Sequence, residues 1–147
     1  MLKYNKGSGK MKKIGVIIPC YNEEESLPLY YEEMSRVMDE MGAVDFELLF
    51  VNDGSKDKTL TILKELSQQD SRVRYLSFSR NFGKEAAILA GLEHVDGDYV
   101  TLMDADLQDP PQKLIEMYDV LEKEHLDIVG MKSNDHKNYG FYEGHGI

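Results

Sequence analysis

Short apolar runs alternate with amphipathic segments at a spacing of about thirty residues, the rhythm of βαβ units. Ile14 to Pro19 (IGVIIP), Phe46 to Val51 (FELLFV), Val73 to Phe78 (VRYLSF), Asp98 to Met103 (DYVTLM) and Leu126 to Val129 (LDIV) read as five strands. Each is too short for a helix and rich in β-branched or aromatic residues, as buried strands are. Between them Leu27, Tyr31, Met34, Met38 and Met41 recur at helical spacing, as do Ile62, Leu63 and Leu66, then Ala86, Leu89 and Ala90, then Leu114, Met117, Tyr118 and Leu121. Helix-start chemistry precedes three of these stripes: Asn22 with Glu25, Asp57, and Asp109-Pro110-Pro111-Gln112. The pattern predicts a three-layer α/β/α domain with a mostly parallel sheet, in which the Met and Tyr stripes are core.

At 147 residues and 41% hydrophobic, the chain can bury one sizeable core. Five of its seventeen basic residues lie in the leader 1–13 (MLKYNKGSGKMKK), which has no acid. The remainder carries twelve basic against twenty-seven acidic residues, a poor match for nucleic acid. The leader lacks the apolar core of a signal peptide and reads as a disordered tail, with Met11 as an alternative start, and no later stretch is long enough to span a bilayer. One domain is expected over residues 14–130, followed by an irregular tail over 131–147. A single cysteine, Cys20, excludes an internal disulfide and a cysteine-based zinc site, and fits a reducing, cytoplasmic setting. A lone thiol directly after a buried strand is packing far more often than nucleophile.

Ligands of open parallel sheets bind beyond the carboxyl ends of the strands. There this chain is unusually polar: Pro19-Cys20-Tyr21-Asn22-Glu23-Glu24-Glu25, Asn52-Asp53-Gly54-Ser55-Lys56-Asp57, Ser79-Arg80-Asn81-Phe82-Gly83-Lys84-Glu85 and Asp104-Ala105-Asp106-Leu107-Gln108-Asp109. The Asp104 and Asp106 pair has no Lys or Arg near it in sequence, and ionised carboxylates at the edge of a core call for a cation. Mg²⁺ or Mn²⁺ suits such a pair, because it completes its coordination with substrate phosphates. An isolated D-x-D is more often a helix cap beside a solvated acid; here the neighbouring loops add complementary chemistry. Tyr21 offers a face for a base, Asp53 an acceptor for a ring N–H, and Arg80 and Lys84 cations for phosphate. No G-x-G-x-x-G follows the first strand, and Gly83-Lys84 lacks the upstream glycine and the following Ser or Thr of a P-loop. His94, His125, His136 and His145 are scattered, without zinc-ligand spacing.

Together, Ile17-Ile18-Pro19-Cys20-Tyr21-Asn22-Glu23-Glu24, Val51-Asn52-Asp53-Gly54-Ser55-Lys56-Asp57, Arg80-Asn81-Phe82-Gly83-Lys84 and Met103-Asp104-Ala105-Asp106-Leu107-Gln108-Asp109 resemble the successive motifs of family-2 inverting glycosyltransferases of the GT-A fold. The nearest branch is the polyprenyl-phosphate glycosyltransferases, dolichyl-phosphate mannose synthase and bactoprenol glucosyltransferase among them. The resemblance covers Lys13 to about Val129. It implies that Pro19, Tyr21, Glu23 and Asp53 line the base and ribose pocket and that Asp104 lies near ribose and sugar. It also implies that Asp106 and Gln108 coordinate Mg²⁺ or Mn²⁺ and that Lys84 sits near the phosphates. The donor would be a UDP- or GDP-sugar, and the acceptor a polyprenyl phosphate at the cytoplasmic face of a membrane. Self-association is compatible with the family.

Gly130 to Ile147 aligns with nothing in that pattern, so the chain reads as a GT-A fold cut short after its donor half. An ionised lipid phosphate needs a general base less than a hydroxyl does; Asp135, His136 and Glu143 are weak candidates for one. Two alternatives stand beside the enzyme reading. One is a nucleotide-binding fragment or subunit without catalysis, which sugar release from a donor would separate from an enzyme. The other is a receiver-like phosphoacceptor domain, disfavoured because Tyr21-Asn22 and Ser79-Arg80 occupy the places of its acidic residues.

Overall fold

The computed structural model describes residues 11–108, 110–124, 128–132 and 138–143. Strands β1 (Lys13–Cys20), β2 (Asp45–Asn52), β3 (Val73–Ser77) and β4 (Tyr99–Leu102) run parallel, linked by helices α1 (Leu27–Glu40), α2 (Thr59–Gln69) and α3 (Lys84–His94). Helix α4 (Lys113–Glu124) leads to β5 (Ile128–Lys132) and β6 (Asn138–Glu143). The sheet order is β3-β2-β1-β4-β6-β5, with β6 antiparallel to both neighbours. Because β4 rather than β3 lies beside β1, the order differs from the 2-1-3-4-5 of receiver domains, and that alternative falls.

Alternation along β1 sets the layers. Ile14, Val16, Ile18 and Cys20 face a core shared with Leu27, Tyr30 and Met34 of α1, Leu63 of α2, and Leu114, Met117 and Leu121 of α4. Ile17 turns to the opposite face, where Val51, Val100 and Ala87 of α3 meet it. The expected Met and Tyr stripes are thus core on α1 and α4. Helix α3 departs from its expected stripe: Leu89 is 59% exposed, and Ala87 and Gly91 are buried instead. Its sequence is apolar nearly all round, so periodicity selects no face. Close approach to β1 decides it, since a Cβ on Gly91 would lie 2.4 Å from Ile17 Cγ2.

Further expectations change. The tail expected to be irregular over 131–147 instead provides β6, whose Tyr139, Phe141 and Tyr142 are strong strand formers. The fifth strand begins at Ile128, while Leu126 lies outside the described residues. Asn22 does not cap α1, which starts five residues later behind Ser26 with Pro28 in its first turn. Asp57 accepts from the Thr59 N–H at the start of α2, as expected, whereas Asp109 lies outside the described residues.

Asp70, at the end of α2, ties the helical layer together. Its carboxylate accepts from the Tyr31 hydroxyl on α1 (2.6 Å) and from Nε and Nη2 of Arg72 (2.9 and 2.7 Å). The Arg72 hydrogen bonds, opposed by partial burial, hold the carboxyl at about 2, below its ordinary 3.8. Because the folded-state value is lowered, this stabilisation is present above pH ~4 and is lost as pH falls toward 2. Asp70→Asn should therefore melt earlier than the parent at neutral pH and lose less stability between pH 4 and 2. Thermal unfolding across that window checks this, and an unchanged acid slope would remove Asp70 as its source.

Candidate functional site

Chain order runs outward from β1 to β2 and β3, then returns to place β4 on the other side of β1. Such a reversal leaves a crevice at the carboxyl ends of the two strands. Register carries β1 three residues beyond the end of β4: Ile17 pairs with Leu102, the last residue of β4, and the Met103 N–H donates to the Ile17 carbonyl (3.0 Å). A cleft of about 170 Å³ opens there, lined by Pro19, Cys20, Tyr21, Glu23, Asp53, Lys84, Asp104, Ala105 and Asp106. Seven of the nine residues singled out in the sequence thus come together.

The loop after β1 is clamped to the loop after β2. Asn22, at φ +52°, receives nothing from α1; its N–H donates to Ser55 Oγ (2.9 Å) and its Oδ1 accepts from the Lys56 N–H (2.9 Å). Glu23 N–H donates to Thr59 Oγ1 and Glu24 N–H to Asp57 Oδ2. Asn, with its short polar side chain, tolerates that left-handed conformation better than most residues. The clamp leaves Tyr21 44% exposed at the mouth of the cleft. It also aims Glu23, whose Oε2 accepts from Ser26 Oγ at 2.5 Å. Ser26 escaped the sequence reading, although its three-residue offset from Glu23 was there to be read.

Asp53 is 4% exposed and anchors the loop after β3. Oδ1 accepts from the N–H of Phe82 (2.7 Å) and Gly83 (3.3 Å), and Oδ2 from Gly83 N–H and Asn81 Nδ2 (both 3.1 Å). The ring N–H of a base, for which Asp53 was expected to be an acceptor, would have to share an oxygen already engaged by this loop. Gly54 lets the two loops touch: at φ +70° it lies so close that a Cβ would sit 2.2 Å from the Arg80 carbonyl carbon.

Lys84, the first residue of α3, reaches across to Asp104, Nζ to Oδ1 2.8 Å. The sequence reading gave the acidic pair no nearby cation; the fold supplies one from twenty residues away. Asp106 is exposed and its Oδ1 accepts from the Gln108 N–H (3.2 Å), across Leu107 at φ +63°. Two expected contributors stay outside the cleft. Gln108 is exposed and lines no part of it, and the Arg80 guanidinium lies over the Phe82 ring, 4.6 Å from its centroid. An exposed aromatic face attracts that cation. Cys20 is packing: burial, reinforced by Glu23 and Asp104, pushes its thiol well above the ordinary range, so it stays protonated at neutral pH. His94 is exposed at the end of α3, and the other three histidines, His136 among them, lie outside the described residues, as does Asp135.

The cleft carries four carboxylates, Glu23, Asp53, Asp104 and Asp106, against one ammonium. That excess suits a cation, and it would repel a diphosphate entering without one. Among the described residues no group of three or more His, Cys, Asp or Glu is arranged to hold a metal by itself. Two carboxylates at an open cleft fit an ion that takes its remaining ligands from water and substrate oxygens, the habit of Mg²⁺ and Mn²⁺.

Residues 15–145 match the family model described as Glycosyl transferase family 2. That match includes most of the tail 131–147. The chain is 42% identical over 131 residues to a bactoprenol glucosyl transferase of Shigella phage SfX, covering 87% of this chain and 41% of that protein. It is 38% identical over 124 residues to an undecaprenyl-phosphate 4-deoxy-4-formamido-L-arabinose transferase of Photorhabdus laumondii, covering 84% and 38%. The chain therefore spans about two-fifths of the length of these relatives. Among solved structures, the mannosyltransferase PcManGT from Pyrobaculum calidifontis, in complex with GDP-Man and Mn²⁺, superposes with a TM-score of 0.71 at 17% identity, over 90% of this chain and 45% of that one.

Proposed function

The chain belongs to glycosyl transferase family 2 and has the α/β GT-A fold, and from that premise we propose that it binds a nucleotide diphospho-sugar with Mg²⁺ or Mn²⁺ for inverting transfer to a polyprenyl phosphate. The observation that carries the reading is the cleft between the ends of β1 and β4. Tyr21, Glu23, Lys84, Asp104 and Asp106 converge there from three loops, with carboxylates in excess.

In this reading Tyr21 presents its ring to the base, and Glu23, aimed by Ser26, accepts from ribose hydroxyls. Asp104 would lie by ribose and sugar, Lys84 would meet the diphosphate, and Asp106, with Asp104 beside it, would hold the metal; Gln108, exposed outside the cleft, would have to turn to reach it. A divalent ion bound there supplies Lewis acidity, neutralising the charge that develops on the departing nucleoside diphosphate. Asp53 fixes the backbone from which Lys84 projects, so the stem of Lys84 is anchored beside the cleft. A phosphate acceptor is already ionised, which lightens the demand for a general base. The relatives whose names carry bactoprenol and undecaprenyl phosphate support that class of acceptor. Such an acceptor would bring the protein to the cytoplasmic face of a membrane. Among the described residues no helix is long and apolar enough to cross one.

Calorimetric titration with UDP- and GDP-sugars, with and without Mn²⁺, tests this reading. One base should bind in preference to the other, and binding should require the metal. Release of free sugar from the preferred donor would further mark the chain as more than a binding fragment. Failure of every nucleotide sugar to bind in Mn²⁺ would overturn the proposal.

A further inference from the structure

Asp104 and Lys84 raise a question that the donor reading leaves open. Asp104 is the more enclosed of the two, its side chain 13% exposed, while that of Lys84 is 53% exposed. At 2.8 Å the ammonium is bonded to Asp104, and both line the same cleft as Asp106. A divalent ion entering between these carboxylates would meet a positive charge already bonded to one of them. Like charges a few ångströms apart in a partly enclosed cleft repel strongly. The other carboxylates offer the ammonium little. Asp53 is engaged by residues 81–83 and Glu23 by Ser26. A donor's diphosphate would be a new acceptor, and the four-carbon stem of Lys84 can swing while its backbone stays fixed through Asp53 and Gly83.

We propose that Lys84 is an exchangeable internal cation: it neutralises Asp104 in the donor-free cleft and passes to the donor's diphosphate as the metal takes its place on the acidic pair. The proposal rests on the donor reading above and adds order to it. Metal alone binds poorly because it must displace Lys84 with nothing to receive the ammonium, whereas metal with diphosphate binds well because the phosphates receive it. The device makes the site selective for the complete metal and nucleotide pair over free metal.

Opposite effects on two titrations follow from one substitution. Lys84→Gln should raise the affinity for Mn²⁺ alone by about tenfold and lower the affinity for UDP or GDP in saturating Mn²⁺ by about tenfold, each equal to removing one nearby charge interaction of ~1.4 kcal/mol. Lys84→Arg keeps the charge and should stay close to the parent for Mn²⁺ alone. Both can be read by calorimetry or by the paramagnetic resonance signal of free Mn²⁺, with no assay of transfer. A structural role for Lys84 would weaken both titrations together, and that result overturns the exchange, as does an unchanged Mn²⁺ affinity in Lys84→Gln while the parent still binds nucleotide. A parent that binds neither UDP nor GDP in Mn²⁺ is a different outcome: it overturns the donor reading and the exchange with it.

Discussion

Asp106→Asn is expected to lower the affinity for a nucleoside diphosphate in Mn²⁺ by about a hundredfold, the upper range for disturbing groups that support a metal. The substitution is nearly isosteric. Asn keeps the Oδ1 that accepts from the Gln108 N–H, so the turn through Leu107 survives. What disappears is one carboxylate charge of the acidic pair, at an open cleft where, among the described residues, no group of three or more His, Cys, Asp or Glu is arranged to hold an ion by itself. Without metal the effect should vanish or reverse slightly, because removing a negative charge from a cleft with three others eases the approach of phosphate. Titrations of UDP and GDP into parent and variant, with Mn²⁺ and with chelator, separate the two regimes. Equal affinities in Mn²⁺ would show that the ion, if it binds, binds elsewhere.

The sequence disclosed the rhythm of the fold and the edge where the chemistry gathers, because both are local. Strand runs such as Ile14 to Pro19 declare themselves by composition, and polar residues at their carboxyl ends declare a common rim. Roles that depend on partners far along the chain were not legible. Asp104 had no basic neighbour in sequence, and only the placement of α3 across the switch between β1 and β4 brings Lys84 to it. Asn22 looked like a helix cap because a cap and a loop clamp share the same short side chain with an acceptor oxygen. Arg80 carries the right charge for phosphate, yet the exposed ring of Phe82 two residues on captures it. Strand β6 was hidden for another reason. Its antiparallel place between β4 and β5 rests on an aromatic pattern interrupted by Gly140 and set among Gly- and Asn-rich neighbours, whose composition reads as loop.

Asp53→Ala is expected to give the largest loss of stability among substitutions at the cleft, and to cost donor affinity for every base alike. A carboxylate 4% exposed accepts from Phe82 N–H, Gly83 N–H and Asn81 Nδ2; truncation leaves those partly buried donors without it. At roughly 1 to 3 kcal/mol for each unsatisfied group, moderated by water reaching the loop, a loss of about 2 to 3 kcal/mol follows. For a chain of this size that is a fall in Tm of roughly 6 to 10 °C. The functional consequence travels through the backbone. Loop 81–83 carries Gly83 directly into Lys84, so a loop no longer pinned lets the ammonium wander from both Asp104 and the diphosphate. Asp53→Asn separates structure from base recognition. It retains one acceptor oxygen for the short bond from Phe82 and should recover part of the Tm. If Asp53 acts through the loop, Asn and Ala weaken UDP and GDP in the same proportion. Were Asp53 also to share an oxygen with a base, the preference between the two nucleotides would collapse, which thermal melts paired with the two titrations would reveal as selectivity lost out of step with stability.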